Sequence, residues 1–381
     1  MHTPHLNTAL RLAESALWRT SPNPRVGCVL VNAQGLEIGQ GSTQVAGQAH
    51  AEVMALRDAQ QKGHSATGAT AFVSLEPCAH QGRTGPCCDA LATAGIAHVI
   101  AALPDPNPLV AGQGFARLRA AGVAVTVASE QPDPELQAWA AASRELNLGF
   151  FSRMLRKTPW VRLNAAASLD GITALPNGQS QWITGAAARA DGHAWRARAC
   201  ALLTGIGTVL QDQPRLDVRE VDTPRQPTLV IVDSDLQTPP DAALFSAPRK
   251  VLIYCANPQP AQQQALQARG ATIICMPGAV GPDGAKAKVD LAAMLRDLAV
   301  REVNELHVEA GHKLNGSLLR AGVVDEFLVY QAPLWLGTGA GLSNWGPLTA
   351  LSQGLRLQFR SVERVGDDVR LLARVMGRDA F

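Results

Sequence analysis

The chain has 381 residues, which at roughly 150 residues per domain points to two domains. Hydrophobic residues make up 46% and charged residues 17%, enough apolar material for full-sized cores and the wrong balance for a disordered chain. A net charge of +2 excludes the basic excess of a protein that lives on nucleic-acid phosphates. No apolar run approaches the ~18–20 residues of a membrane helix, and Met1–Trp18 lacks the pattern of a signal peptide. The expectation is a cytoplasmic enzyme with no nucleic-acid or membrane partner, assembled as a homo-oligomer on base rate.

The first half opens with an amphipathic helix carrying Leu6, Leu10, Ala13 and Leu17 on one face, halted by Ser21-Pro22-Asn23-Pro24. A strand over 26–31 follows, then a turn at Asn32–Gly35 and a partner strand. Helices are predicted over 50–62, 87–93 and 114–121, and strands over 70–75, 98–102 and 123–128. This alternation favours an α/β sandwich around a mostly parallel sheet. A helix then runs to about Phe151, and Lys157-Thr158-Pro159 starts a new unit, giving domains over 1–150 and 158–381.

The second half alternates again. Strands are expected at 160–166, 201–204, 228–232, 251–255, 271–275, 306–308 and 326–330, and helices at 186–198, 290–300 and 313–321. The segments 355–365 and 369–375 flank Gly366-Asp367-Asp368, a hairpin closing an otherwise parallel sheet.

Seven cysteines, an odd number on a long chain, do not suggest a disulfide framework. Cys28, Cys200, Cys255 and Cys275 lie in apolar stretches and are expected to be small buried hydrophobes. Cys78, Cys87 and Cys88 lie in a polar Pro/Gly-rich stretch. His50-Ala51-Glu52 opens a predicted helix, Glu76-Pro77-Cys78 ends a predicted strand, and Cys87 opens another helix. One imidazole and two thiolates suffice to hold zinc with a fourth position open to water. Zinc brings the pKa of that water towards ~7. Both cysteines are expected near helix N-termini, whose partial charge favours thiolate.

On a regular helix, side chains two residues apart diverge by about 200°. Glu52 can therefore join His50 only at the open first turn, where it can take a proton from the water and return it to a leaving amine. An isolated H-x-E arises often by chance, and the cysteines alone could be a structural zinc site or idle thiols. The conjunction in this order is the signature of zinc nucleobase deaminases. Eight residues, AHQGRTGP, separate Cys78 from Cys87 where the usual spacing is C-x-x-C, so His80 and Cys88 are rival ligands. His80 suits a loop or substrate role better, and Cys88 suits the core one step past the ligand.

That long insertion, with Pro22-Asn23-Pro24, Gly82-Arg83-Thr84, Pro86-Cys87-Cys88 and Asp105-Pro106-Asn107-Pro108, resembles the bifunctional riboflavin-biosynthesis deaminase/reductase. Ser168-Leu169-Asp170-Gly171, Ser180-Gln181-Trp182-Ile183-Thr184 and Val308-Glu309-Ala310-Gly311 extend the resemblance through the second half. It implies a cytidine-deaminase-like α/β/α sandwich followed by a dihydrofolate-reductase-like α/β domain. The first would release ammonia from a diamino-ribosylamino-pyrimidinone phosphate, and the second would reduce the ribosyl chain with NADPH. By resemblance His50, Cys78 and Cys87 are zinc ligands and Glu52 the proton shuttle, with Asn23 and Arg83 as substrate contacts.

No complete G-x-G-x-x-G marks the second half, since Gly205-Ile206-Gly207 lacks its third glycine. The turn of Gly311, His312, Lys313, Leu314, Asn315, Gly316 and Ser317, between a strand and a helix, is the better phosphate candidate, though glycines there can serve packing alone. The resemblance adds cofactor contacts at Ala166, Trp182, Thr208, Asp212 and Ser234. It adds substrate contacts at Ser180, Arg196, Leu216, Arg219 and Glu309. Arg196 and Arg219 are expected to fork a ribose phosphate; otherwise they are solvated charges, and Trp182 and Leu216 are core. Asn164, Ala166 and Gln213 depart from the family pattern, which keeps open a deaminase with a non-catalytic second half. A base deaminase acting on nucleic acid fits the motif but not the charge, and a non-catalytic zinc-stabilised binding protein is the remaining class.

Overall fold

The computed structural model describes residues 3–79, 85–108, 110–280 and 286–381. The chain divides into two compact units, Met1–Arg156 and Lys157–Phe381. The first contains α1 (Thr3–Glu14), β1 (Gly27–Val31), β2 (Glu37–Ser42), α2 (Ala51–Gln61), β3 (Thr70–Val73) and α3 (Cys87–Thr93). It continues through β4 (His98–Ala101), α4 (Gln113–Ala120), β5 (Ala124–Val127), α5 (Pro134–Leu146) and α6 (Leu148–Arg156). The predicted single helix at the end is two, broken at Asn147. The buried Asn147 amide is committed to the backbone of Arg25, accepting its N–H at 2.8 Å and donating to its carbonyl at 2.9 Å.

The five strands run in the order β2-β1-β3-β4-β5. Only β3, β4 and β5 are parallel, whereas β1 pairs antiparallel with both neighbours, so the sheet is more mixed than the alternation suggested. Directly paired residues share a face. Gly27, paired with Ser42, would press a Cβ onto α1, while Gly41, paired with Cys28, would press one onto α2. The two helices therefore cover opposite faces. With no side chain at Gly41, the first turn of α2 lies flush on the sheet, and this fixes the height at which residues 50–52 stand.

The second unit begins with β6 (Trp160–Ser168), β7 (Ile172–Ala174), α7 (Ala186–Arg198), β8 (Ala201–Gly205), α8 (Ile206–Asp212), β9 (Thr228–Val232) and β10 (Val251–Cys255). It continues with α9 (Pro260–Ala268), β11 (Ala271–Cys275), α10 (Leu291–Val300), β12 (Glu305–Glu309), α11 (His312–Arg320) and β13 (Glu326–Ala332). Then come β14 (Ala340–Gly341), β15 (Leu357–Val365) and β16 (Asp368–Val375). Nine strands form one sheet, β11-β10-β9-β8-β12-β6-β13-β16-β15, parallel from β11 to β13 and closed by the antiparallel β15–β16 hairpin.

Alternating residues of each buried strand feed separate cores. Ala201, Leu203 and Val230 pack with Met294, Leu298 and Leu318 on one face. Leu202, Leu229 and Ile231 pack with Val209 and Leu266 on the other. Cys28 and Cys255 are buried as expected, Cys200 is half-buried, and Cys275 is exposed because it ends the edge strand β11. The helix α9 escaped the sequence reading: its run of glutamines leaves Leu266 as the only buried residue and hides the helical period.

A buried ion network crosses four adjacent strands. Glu326 of β13 accepts from Arg162 of β6 at 2.7 Å and from Arg374 of β16 at 3.0 Å, and Arg162 also donates to Glu305 of β12 at 3.1 Å. All four residues are buried. Removing Glu326 takes a buried partner from two guanidinium groups at once, leaving Arg162 with Glu305 and Arg374 with Asp379. Glu326→Ala is therefore expected to destabilise the second unit by about 3–5 kcal/mol, seen as a lowered urea midpoint by tryptophan fluorescence. A midpoint within experimental error of the parent would show that the network contributes nothing net.

Candidate functional site

In the first unit the metal-ligating atoms come from three segments. His50 is the residue before α2 and is extended (φ −79°, ψ 170°), so it stands outside the helix that Glu52 belongs to. That break lets two side chains converge which a continuous helix would hold apart. Cys87 is the first residue of α3, behind Pro86. Cys78 follows β3 in irregular chain, not at a helix start as expected, but it accepts the Cys87 N–H at 3.3 Å.

His50 Nδ1 lies 3.6 Å from Cys78 Sγ and 3.4 Å from Cys87 Sγ, and the ligating atoms all lie within 4.8 Å of one another. With Zn–S near 2.3 Å and Zn–N near 2.05 Å, a tetrahedral N···S edge is about 3.6 Å. The residues therefore fit zinc. Cys88, one step on, is buried with its thiol towards Asp89 and is not part of this cluster. His80 and Arg83 lie outside the described residues.

The electrostatics suit a cation. Accepting from the Cys87 thiol, and then from the His50 ring, holds the Cys78 sulfur down at about 4. Cys87 is pushed up, first because it gives its proton to Cys78 and then by burial. Burial raises the Glu52 carboxyl to about 7, and the neighbouring Cys78 thiolate adds to it. Burial likewise raises Asp105 to about 7. Asn23 lies in the turn before β1, and because Gly27 accepts the Ser74 N–H, that turn sits at the same end of the sheet as Cys78.

In the second unit the site residues gather at the carboxyl ends of the parallel strands, where α/β sheets open a crevice. Ala166 is exposed on β6, and Glu309 ends β12 beside Asn164. Gly311 begins α11 with Thr208 of α8 3.8 Å from where its Cβ would be. The Ser180 hydroxyl donates to Asp212 at 3.4 Å, which joins a substrate candidate to a cofactor candidate. Trp182 is 65% exposed, with the Arg189 guanidinium 4.6 Å over its ring.

Several expectations change. Arg196 does not offer a free fork: Nε and Nη2 grip Glu309 at 2.5 and 2.7 Å, and Nη1 donates to the Asp217 carbonyl at 3.0 Å. Burial alone would raise the Glu309 carboxyl, but Arg196 holds it well below the usual range. Arg219 is 43% exposed and donates to Asp217 at 2.8 Å. The Leu216 side chain belongs to the core, and its carbonyl accepts from Arg249. Of the turn after β12, Leu314 packs on the core and Gly316 is buried against Asn344. Asn315 donates to the Leu342 carbonyl, and Ser317 donates to its own helix. Only Gly311, His312 and Lys313 stand at the helix opening. The Ser234 hydroxyl accepts the Val289 N–H at 3.3 Å, so it closes a loop. The sequence reading gave no role to Glu76, Asp105 or Asp217; their acidity is visible in the sequence, but their burial is not.

The comparisons with known proteins cover both units. Residues 2–103 match the cytidine and deoxycytidylate deaminase zinc-binding region, and residues 159–371 match the RibD C-terminal domain. The riboflavin biosynthesis protein RibD of Escherichia coli is 40% identical over 96% of this chain and 97% of that protein. The chain belongs to the RibD family. RibD of Haemophilus influenzae is also 40% identical, over 96% of this chain and 95% of its own length. A solved RibD of Acinetobacter baumannii superposes with TM-score 0.84 at 36% identity, covering 97% of this chain and 98% of that one. A Thermotoga maritima diaminohydroxyphosphoribosylaminopyrimidine deaminase/5-amino-6-(5-phosphoribosylamino)uracil reductase does so with TM-score 0.82 at 29% identity, covering 98% and 99%.

As a RibD-family chain, this is a bifunctional deaminase and reductase of riboflavin biosynthesis, with zinc and NADPH as its cofactors. Its halves are a cytidine-deaminase-like domain and a dihydrofolate-reductase-like one. Among the described residues no helix is long and apolar enough to cross a membrane. The ligand geometry makes a discriminating prediction between neighbouring thiols. Cys87→Ser should lose zinc on gel filtration, by metal analysis, whereas Cys88→Ser should keep it; the reverse result would make Cys88 the ligand.

Proposed function

We propose that the first unit hydrolyses the 2-amino group of 2,5-diamino-6-ribosylamino-4(3H)-pyrimidinone 5′-phosphate, and that the second then reduces the ribosyl side chain to ribityl. The product is 5-amino-6-ribitylamino-uracil 5′-phosphate. The observation that carries the reading is the set of three ligand atoms at tetrahedral spacing with a buried carboxylate, Glu52, beside them.

His50, Cys78 and Cys87 hold the zinc, which when bound supplies a Lewis acid that activates water at neutral pH. Glu52 takes the proton of the attacking water on its carboxylate and delivers it to the departing amine, so ammonia leaves neutral. A carboxyl raised to about 7 by burial suits both halves of that exchange. Asn23 reads the pyrimidine edge from the turn before β1, and Arg83 contacts the substrate.

In the second unit NADPH supplies the hydride, and the protein's part is to position it. Gly311, His312 and Lys313 at the opening of α11, with Thr208 opposite, hold the dinucleotide phosphates. Ala166, exposed on its strand, lets the cofactor lie against β6, and Trp182 and Asp212 complete its surroundings. Ser180 and Glu309 face the substrate. Arg196 orients Glu309, so the substrate phosphate falls to the more exposed Arg219, while Leu216 contributes backbone only. The chain acts as a cytoplasmic homo-oligomer: none of the seven cysteines is in a disulfide, which fits a reducing compartment, and closed symmetric assemblies are the rule for such enzymes.

Glu52→Gln should keep its zinc and lower ammonia release by about 10²–10⁴-fold, while reduction of the pre-deaminated pyrimidine by NADPH stays at the parental rate. Supplying the diamino-pyrimidinone phosphate to the parent should consume NADPH only after ammonia appears. Parental deamination by the Gln variant would remove Glu52 from the mechanism.

A further inference from the structure

Glu76 lies two residues before Cys78 in the irregular chain after β3, and it is buried at 3% exposure. Among the described residues its side chain has no hydrogen bond to another side chain. It accepts four backbone N–H groups instead. Oε2 takes Asp105 at 3.0 Å and Gly112 at 2.9 Å, and Oε1 takes Gly114 at 3.0 Å and Phe115 at 3.3 Å. Gly112 is the cap residue of α4, and Gly114 and Phe115 lie in its first turn. One carboxylate thus closes the open end of a helix that belongs to a different part of the chain.

The same carboxylate fixes two groups around the metal cluster. The chain from Glu76 runs two residues to Cys78, and the Pro77 carbonyl lies so close to Gly114 that a Cβ there would overlap it. On the other side, the N–H held by Oε2 belongs to Asp105, a buried residue whose carboxyl feels the charges of Cys78 and Glu52. The Cys78 ligand and Asp105 are therefore referenced to a common point, although neither is on a regular element.

We propose that Glu76 is a positioning residue of the metal centre: its carboxylate locks the Cys78 turn against the start of α4 and sets the ligand geometry. The proposal rests on His50, Cys78 and Cys87 holding zinc. The alternative is that Glu76 caps α4 and does nothing more. The two differ in what a substitution moves. Both carboxylate oxygens face donors, so Glu76→Gln must turn an NH₂ towards two N–H groups whichever way its amide is oriented. Gly114→Ala strains the same junction from the helix side without changing any charge.

The full-length chain, zinc-loaded, is compared with Glu76→Gln and Gly114→Ala by zinc release to a chromogenic chelator, by the visible bands of the cobalt-substituted protein, and by thermal unfolding. Both variants should release zinc about 10–100-fold more readily, the range seen when outer partners of metal ligands are removed. Their thiolate-to-cobalt and d–d bands should shift, and NADPH reduction of the deaminated pyrimidine should be unchanged. Lowered thermal stability with parental zinc release and parental cobalt bands would reduce Glu76 to a helix cap and overturn the proposal. If Glu76→Gln does not fold, Gly114→Ala decides alone. Failure of the parent itself to hold zinc or cobalt would overturn the metal centre together with this inference, whereas a parent that binds and variants that match it would overturn this inference only.

Discussion

A carboxylate withdrawn from water must be met by donors at both oxygens, or its burial costs several kcal/mol. Both units are arranged around that requirement. In the first, four backbone N–H groups surround Glu76 and fasten irregular chain to the start of α4. In the second, Glu326 and Glu305 lie among Arg162, Arg374 and Arg198, and Glu309 is held in the fork of Arg196. These partnerships are long in sequence and short in space, so they can be satisfied in one fold only.

The two chemistries use the same geometric resource differently. A tetrahedral cation needs donor atoms within a few ångströms of one another, and no single element can present them. The first unit takes one from the residue before α2, one from the chain after β3 and one from the first turn of α3. A dinucleotide and a phosphorylated sugar need a long crevice, and the carboxyl edge of a parallel sheet supplies it. There β6, β8 and β12 end side by side, and α8 and α11 start. The glycine-poor turn after β12 fits this picture, because Leu314 and Gly316 are spent on packing and only three residues remain at the helix opening.

Much of this was legible in the sequence. The strands at 228–232, 251–255 and 271–275 are found where their apolar runs place them; the first two are inner strands, apolar because both faces are covered, while the third is the half-buried edge strand. His50, Glu52, Cys78 and Cys87 could be named because their types, order and context are chemically specific. The break at Asn147 and the helix α9 were not legible. The first depends on a side chain bonding to Arg25, more than a hundred positions away, and the second has almost no apolar face.

Residue types and their order supply an inventory: which side chains can ligate a metal, carry a proton or fork a phosphate, and in what order two α/β units present them. The tertiary structure decided which of those groups are already taken. Arg196 and Arg219 are the same residue type, yet one has its nitrogens committed to Glu309 and Asp217 while the other is 43% exposed. Glu52 and Glu76 are equally acidic in the sequence, yet one stands beside the metal cluster and the other is enclosed by peptide N–H groups. Charge and hydrogen-bonding capacity are properties of a residue, but whether they are spent depends on neighbours that only the folded chain brings within 3 Å.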